Sequence, residues 1–245
     1  MTSPPPALPA TPKAVVEACT RPATPAYVPE VRLRVADEVF DLWQRTGRLP
    51  YWAFAWAGGL ALARHVLDHP GLMAGRAVLD LASGSGLVAI AAARAGAASV
   101  IAADIDPLAG AAIALNAEAN DVRVTVLLDD LLAAPDRPYG HAPRSGPEPG
   151  TQSGPKAGPN RSTEFDPDAT EVVLAGDVFY ERPMAESIMA YLERARRRGA
   201  TVVVGDPDRA YLPRHRFTRL TTHQVPGSGL LEAEEIKTAT VWRLP

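Results

Sequence analysis

The chain has 245 residues, 47% of them hydrophobic, and a formal net charge of -3, which provides for one substantial core with an appended subdomain at most. Acids and bases nearly balance and the five histidines are scattered, which excludes a broad nucleic-acid footprint and an evident metal cluster. Cys19 is the single cysteine; it rules out an intrachain disulfide framework and predicts a reducing compartment, the cytoplasm, while no uncharged run reaches the roughly 18 residues of a membrane span and the opening residues lack an export signal.

Residues 1–29 carry repeated prolines (PPPALPATP, then RPATPAYVP). Proline removes a donor and blocks helix, so an extended arm is predicted there, with the main domain over 30–245. In VRLRVADEVFDLWQRTG, Val31, Val35, Val39 and Leu42 share a helical face and Gly47 stands where a helix would end, so one helix over 30–46 is expected. LPYWAFAWAGGLALARHVLDHP supplies an aromatic cluster and a helix over 57–68 that stops before Pro70. The run AVLDL (77–81) suits a buried strand, SGSG a turn, LVAIAAARAG (87–96) a helix and SVIAAD (99–104) a second buried strand; strand, helix, strand gives a parallel pair. Pro107 opens a helix over 107–119, after which VRVTVLL (122–128) alternates as a third strand. Residues 133–168 are rich in Pro, Gly and Ser with almost no large aliphatics, so a disordered surface insertion is predicted. The pattern resumes with EVVLAGD (171–177), an amphipathic helix PMAESIMAYLERARRRG (183–199) and TVVVGD (201–206). FTRLTTHQV and EIKTATVWRL then alternate as an antiparallel pair. The fold class expected is α/β: a doubly wound, mostly parallel seven-stranded sheet with a terminal antiparallel β-hairpin.

Ligands of doubly wound sheets sit at the carboxyl ends of the strands. Asp80, the turn Ser83–Gly84 with Gly86, Asp104, Asp129 or Asp130, and Asp177 all fall at such ends. A dinucleotide site would favour G-x-G-x-x-G against a pyrophosphate; here D-L-A-S-G-S-G puts Asp80 first, where it would repel a pyrophosphate but suits a cationic amino group. S-adenosylmethionine carries an ammonium and a sulfonium. Asp104 can accept from both ribose hydroxyls, since an ionised carboxylate is acceptor-only and matches a diol. Asp129 or Asp130 can accept from the adenine amine, with a backbone N–H near Asp130 for a ring nitrogen. A strand-end aspartate taken singly is often a helix cap, but four in register around a Gly-Ser turn point to a ligand. His65 and His69, at i, i+4 without a third ligand nearby, are expected as surface or capping histidines, and no metal is expected. RARRR (194–198) is a basic helix end that complements the helix dipole.

D-L-A-S-G-S-G, A-D-I-D-P and L-D-D-L-L resemble the motifs of class I S-adenosylmethionine-dependent methyltransferases over about residues 76–210. PYWAFAWAGGLALARHVLDHP, GDVFYERPM and DPDRAYLP resemble more closely the seven-β-strand protein-lysine methyltransferases of the electron-transfer flavoprotein β-subunit group. The resemblance implies a Rossmann-like methyltransferase fold, S-adenosylmethionine as cofactor, and methylation of lysine Nε on a protein partner, with no membrane or nucleic acid expected. It implies catalytic roles for Asp177, Tyr180 and Glu181 in D-x-F-Y-E, with Asp177 and Glu181 attracting the lysine ammonium and Tyr180 and Phe179 shaping an apolar channel. The cofactor set it implies adds Trp56, Ala82, Ile105 and Gly176 to the strand-end residues. Ala82 departs from the family's glycine at that position and predicts ordinary backbone angles there. Three alternatives remain: methylation of ribosomal protein L11, methylation of a small nicotinamide-like amine, and a non-catalytic cofactor-binding module. DVFY stands where an N-P-P-Y segment would mark nucleobase targets.

Overall fold

A computed structural model describes residues 8–36, 39–133, 166–227 and 236–245. The extended arm expected over residues 1–29 is corrected within its described part, residues 8–29. Thr11 caps helix α1 (Pro12–Cys19) by accepting from the Ala14 N–H, and Pro12 occupies the first turn, where its missing donor costs nothing. Strand β1 (Thr20–Ala23) then pairs antiparallel with β2 (Leu33–Ala36). The single helix expected over 30–46 is likewise corrected, because helix α2 begins only at Val39 and runs Val39–Thr46. VRLRV also reads with period two, and tertiary partners select that reading. The Arg32 and Arg34 N–H groups donate to the side-chain carbonyls of Asn120 (2.9 Å) and Asn116 (2.8 Å), and the Asn120 amide donates to the Arg32 carbonyl (2.7 Å). Two asparagines thus act as a further strand edge.

The remaining elements follow the expected order: α3 (Ala57–Asp68), β3 (Ala77–Leu81), α4 (Leu87–Arg94), β4 (Ser99–Asp104), α5 (Pro107–Ala119), β5 (Thr125–Leu128), β6 (Val172–Gly176), α6 (Arg182–Arg197), β7 (Thr201–Asp206), β8 (Thr218–Pro226) and β9 (Ile236–Leu244). β5 is shorter than the strand expected over 122–128, because the Val122 N–H still bonds the α5 carbonyl of Ala117 and Asp121 sits at φ +53. The predicted insertion falls largely on residues 134–165, outside the described residues; next to it, Pro167 is buried and Asp166 caps a short turn.

The seven strands are ordered β5-β4-β3-β6-β7-β9-β8, with β3 to β7 parallel and β9 antiparallel to both β7 and β8. This is the doubly wound sheet with a terminal hairpin that the sequence pattern predicts. Side chains alternate across it. Val78, Val100 and Val172 face Leu62, Val66 and Ile90 of α3 and α4, whereas Leu79, Ile101 and Val173 face Ile188 and Leu192 of α6. The chain reverses direction of winding between β3 and β6, so the crevice beyond their carboxyl ends is the topological switch point where such sheets take ligands.

Helix α3 lies unusually close to the sheet at that end. A Cβ on Gly58 would stand 2.4 Å from the Gly205 carbonyl oxygen, and one on Gly176 would stand 3.0 Å from the Gly59 Cα. Glycine on both surfaces lets backbone meet backbone and brings the start of α3 to the tips of β6 and β7. α6 ends in Arg194, Arg196 and Arg197, the cations its dipole favours, as expected.

Candidate active site

A cavity of about 1010 Å³ opens along the carboxyl ends of β3, β4, β5 and β6. Asp80, Ala82, Ser83, Gly84, Asp104, Ile105, Asp129, Asp130, Gly176, Asp177, Tyr180 and Trp56 all line it. Gly86 and Glu181 stand beside it: Gly86 is the N-cap of α4 at φ +81, and Glu181 is the exposed N-cap of α6. Among the described residues no three metal-ligating side chains stand together.

Asp80 is buried, and both its hydrogen bonds fall on Oδ2, from the Ser83 hydroxyl at 2.5 Å and the Ala89 N–H at 3.0 Å. Oδ1 keeps its lone pairs for a ligand. Burial pushes the carboxyl up to about 7, against the pull of those two donors. Such a group ionises readily when a cation arrives. Asp104 accepts the Gly84 N–H (2.9 Å) on one oxygen and the Asp106 N–H (3.0 Å) on the other, which holds the carboxylate across the Gly-Ser turn with a lone pair free on each oxygen. Burial raises its pKa as well. Asp129 and Asp130 are exposed on the rim; the Asp130 N–H is donated to Asp129 Oδ1 at 2.9 Å.

Ala82 corrects an expectation. It sits at φ +54, in the left-handed region, together with Gly84 at φ +55. The turn demands a left-handed backbone at that position even though the sequence supplies a Cβ, at a cost of about 1 kcal/mol.

At the other end of the cavity Asp177, itself at φ +59, accepts the Gly59 N–H at 2.7 Å and an Arg209 guanidinium N–H at 3.0 Å. It therefore caps α3 from a distance of more than a hundred residues, since the side chain of Trp56, at the N-cap position, makes no capping hydrogen bond to the helix. Burial raises the Asp177 pKa while the Arg209 charge opposes it. The Arg209 charge offsets that of Asp177, whereas Glu181, exposed at the start of α6, has no ion-pair partner among the described residues. Phe179 is a second correction. It is fully buried against Phe217 in the core and does not reach the cavity. The wall is built instead by Tyr51, Trp56 and Tyr180, with Tyr51 5.8 Å from Trp56 and 5.4 Å from Tyr180 between ring centroids. Trp56 is fixed by donating to the Tyr51 carbonyl at 2.7 Å. Burial pushes the Tyr180 hydroxyl up to about 12, so it stays protonated.

Sequence reasoning missed Tyr51, Arg209 and the two glycines of α3. PYWAFAWAGG and DPDRAYLP contain them, yet only the three-dimensional meeting of β6, β7 and α3 distinguishes them from packing and loop residues. The histidine expectation is half corrected. His69 closes α3 through its backbone N–H, but His65 is buried with both ring nitrogens unpartnered.

The donor set fits S-adenosylmethionine. A buried carboxylate able to ionise, a second carboxylate with two free lone pairs and acids on the rim line one trough, and Gly84 turns the backbone at φ +55 between them. Known proteins agree. The family model of ribosomal protein L11 methyltransferase (PrmA) matches residues 62–137, the stretch from α3 past β5. The electron transfer flavoprotein beta subunit lysine methyltransferase of Mus musculus is 33% identical over 230 residues, covering 89% of this chain and 77% of the relative. That of Xenopus laevis is 31% identical, covering 94% and 86%. A solved structure from Streptococcus mutans named as a SAM-dependent methyltransferase superposes with a TM-score of 0.53 at 11% identity, over 91% of this chain and 55% of that one, which speaks to the fold alone. Sheet order, acidic trough and likeness along nearly the whole chain converge: the chain belongs to the electron transfer flavoprotein beta subunit lysine methyltransferase family of S-adenosylmethionine-dependent N-methyltransferases.

Proposed function

We propose that the protein methylates lysine Nε on the β-subunit of electron transfer flavoprotein or a protein of very similar surface. The observation that carries this reading is where the two likenesses fall. The L11 methyltransferase match ends before the acceptor half of the cavity, whereas Asp177, Tyr180 and Arg209 lie within the span shared with the lysine methyltransferases. When bound, S-adenosylmethionine supplies an electrophilic methyl group on its sulfonium. In this reading Asp80 meets the donor's ammonium, Ser83, Gly84 and Gly86 shape the turn around its methionyl tail, and Asp104 accepts from the ribose hydroxyls. Ile105 and one of Asp129 and Asp130 border the adenine, and Trp56, Ala82 and Gly176 close the trough.

The acceptor end must orient an amine and keep it neutral, because an ammonium has no lone pair to give. Glu181 at the mouth draws the lysine cation. Tyr51 and Tyr180 then exclude water from the shaft, and desolvation favours the uncharged amine. Asp177 positions the start of α3 and Arg209 and needs no proton of its own. The single thiol Cys19 supports the cytoplasm as the place of action.

Incubation with methyl-labelled donor and either purified β-subunit or ribosomal protein L11, followed by mass spectrometry, tests the proposal. Label on lysines of the β-subunit and none on L11 is expected. The reverse pattern would overturn it.

A further inference from the structure

Arg209 is held at three points. Its backbone N–H donates to Asp206 Oδ1 at 2.7 Å, its guanidinium donates to Asp177 at 3.0 Å, and the guanidinium carbon lies 5.9 Å from the Trp56 ring centroid. Asp206 is fully buried at the tip of β7 and does not line the cavity; its work is to fix the turn that carries Arg209. The next turn is tied down separately, Asp208 being paired with Arg214 at 2.6 Å. An arginine so restrained costs little ordering entropy at each turnover and presents its charge in one place.

Its charge is directed at the acceptor end. Arg209 and Asp177 both line the cavity, and the Arg209 side chain is the more exposed of the pair, 26% against 9%. The groups facing it are Asp177 from β6, Asp206 from β7, Trp56 before α3 and, across the cavity, Tyr51 and Tyr180 with Glu181 at the start of α6. Its field reaches both tyrosine hydroxyls, favouring their ionised forms while Glu181 opposes it. An amine entering the cavity beside Tyr51 and Tyr180 meets the same field.

Resting on lysine as the acceptor, we propose that Arg209 repels the protonated lysine and so delivers its amine to the donor as the neutral nucleophile. The ammonium, drawn in by Glu181, gives its proton to water at the mouth. The amine lone pair then forms the N–C bond as the C–S bond breaks, the electron pair of that bond staying on sulfur. The positive charge passes from sulfonium to the methylated nitrogen. Arg209 disfavours full charge on nitrogen most strongly in the starting ammonium, so the ammonium loses more than the transition state does. This assigns opposite duties to two charges in one channel: the Glu181 carboxylate at the entrance for capture, the Arg209 cation at depth to favour loss of the proton to water.

The test is the pH profile of kcat at saturating S-adenosylmethionine and electron transfer flavoprotein β-subunit, which reads the ionisation of the bound lysine, for the wild type, Arg209→Gln and Arg209→Lys. In Arg209→Gln the midpoint of the acid limb should rise by about one pH unit, a tenfold loss near neutrality that is recovered at alkaline pH. Arg209→Lys should keep the wild-type midpoint. Should Arg209→Gln fail to fold around an unpaired Asp177, the double variant Asp177→Asn/Arg209→Gln replaces the pair by neutral groups and should raise the midpoint in the same direction but by less, because the opposing Asp177 charge is removed with it. An unmoved midpoint, or a loss equal at all pH values, would overturn the role of Arg209 while leaving lysine methylation intact. A wild type that labels no lysine at any pH would overturn both.

Discussion

Asp80 joins fold and chemistry in one side chain. In the free protein it orders the Gly-Ser turn, and burial holds its pKa near 7. Donor binding favours its ionised form, so affinity for S-adenosylmethionine should weaken as pH falls from 8 to 6, with proton release on binding near pH 7; calorimetry in buffers of different ionisation enthalpy measures both. Asp206 is the same type of group without a ligand to meet, its pKa pushed up to about 7 by burial and Oδ2 unpartnered. A carboxyl whose pKa is higher folded than unfolded contributes stability at low pH and loses it as pH rises through the folded value. Asp206→Asn should therefore raise the melting temperature at pH 8 and change it little at pH 4. Asp80, Asp104 and Asp177 could be picked out in the sequence as acids at the ends of apolar runs. Their engagement could not: nothing in DVFYE says that Asp177 caps a helix placed far earlier in the chain. Ala82 was misread for a related reason, since backbone angles follow the turn and not the residue alone. Ala82→Gly should raise stability by at most about 0.5 kcal/mol, the left-handed strain less the added chain entropy of glycine, read as a higher denaturant midpoint.

Among the elements, α3 carries the site's precision. Its start is pinned by Asp177 and its contact with β7 is backbone on backbone, for a Cβ on Gly205 would stand 2.1 Å from the Gly58 carbonyl. Gly205→Ala should cost about 3 kcal/mol or more in denaturant unfolding, because no flexible side-chain end is available to yield. Activity should fall further than stability explains, since the displaced helix drags Gly59 from Asp177. The boundaries of α3, β3, α4, β4 and α5 were legible because proline, glycine and unbroken apolar runs mark them locally. β2 was not. VRLRV satisfies a helical stripe and a strand alternation together, and the decision belongs to Asn116 and Asn120, more than eighty residues away. The proline-rich start misled in the same way, because Pro12 sits in the one helical turn that tolerates it.

At the scale of the molecule, the sheet order followed from strand and helix alternation, while the acid response depends on groups far from the cavity. His65 is buried beside His69, whose ring lies 4.3 Å away between centroids, and burial drives its pKa down to about 4. The unfolded chain binds that proton more readily, so the stability His65 contributes is complete above about 6.5 and is lost as pH falls toward 4, opposite in sign to Asp206 over the same window. His65→Leu should flatten the loss of melting temperature between pH 6.5 and pH 4.5. The central claim, however, concerns the acidic trough at the switch point of the sheet. It is tested most directly by calorimetric titration of S-adenosylmethionine into the wild type and Asp104→Ala. One-to-one binding by the wild type and at least about tenfold weaker binding by the variant are predicted, as expected when charge-assisted hydrogen bonds are removed. No heat with the wild type, or equal affinity for the two proteins, would contradict the account.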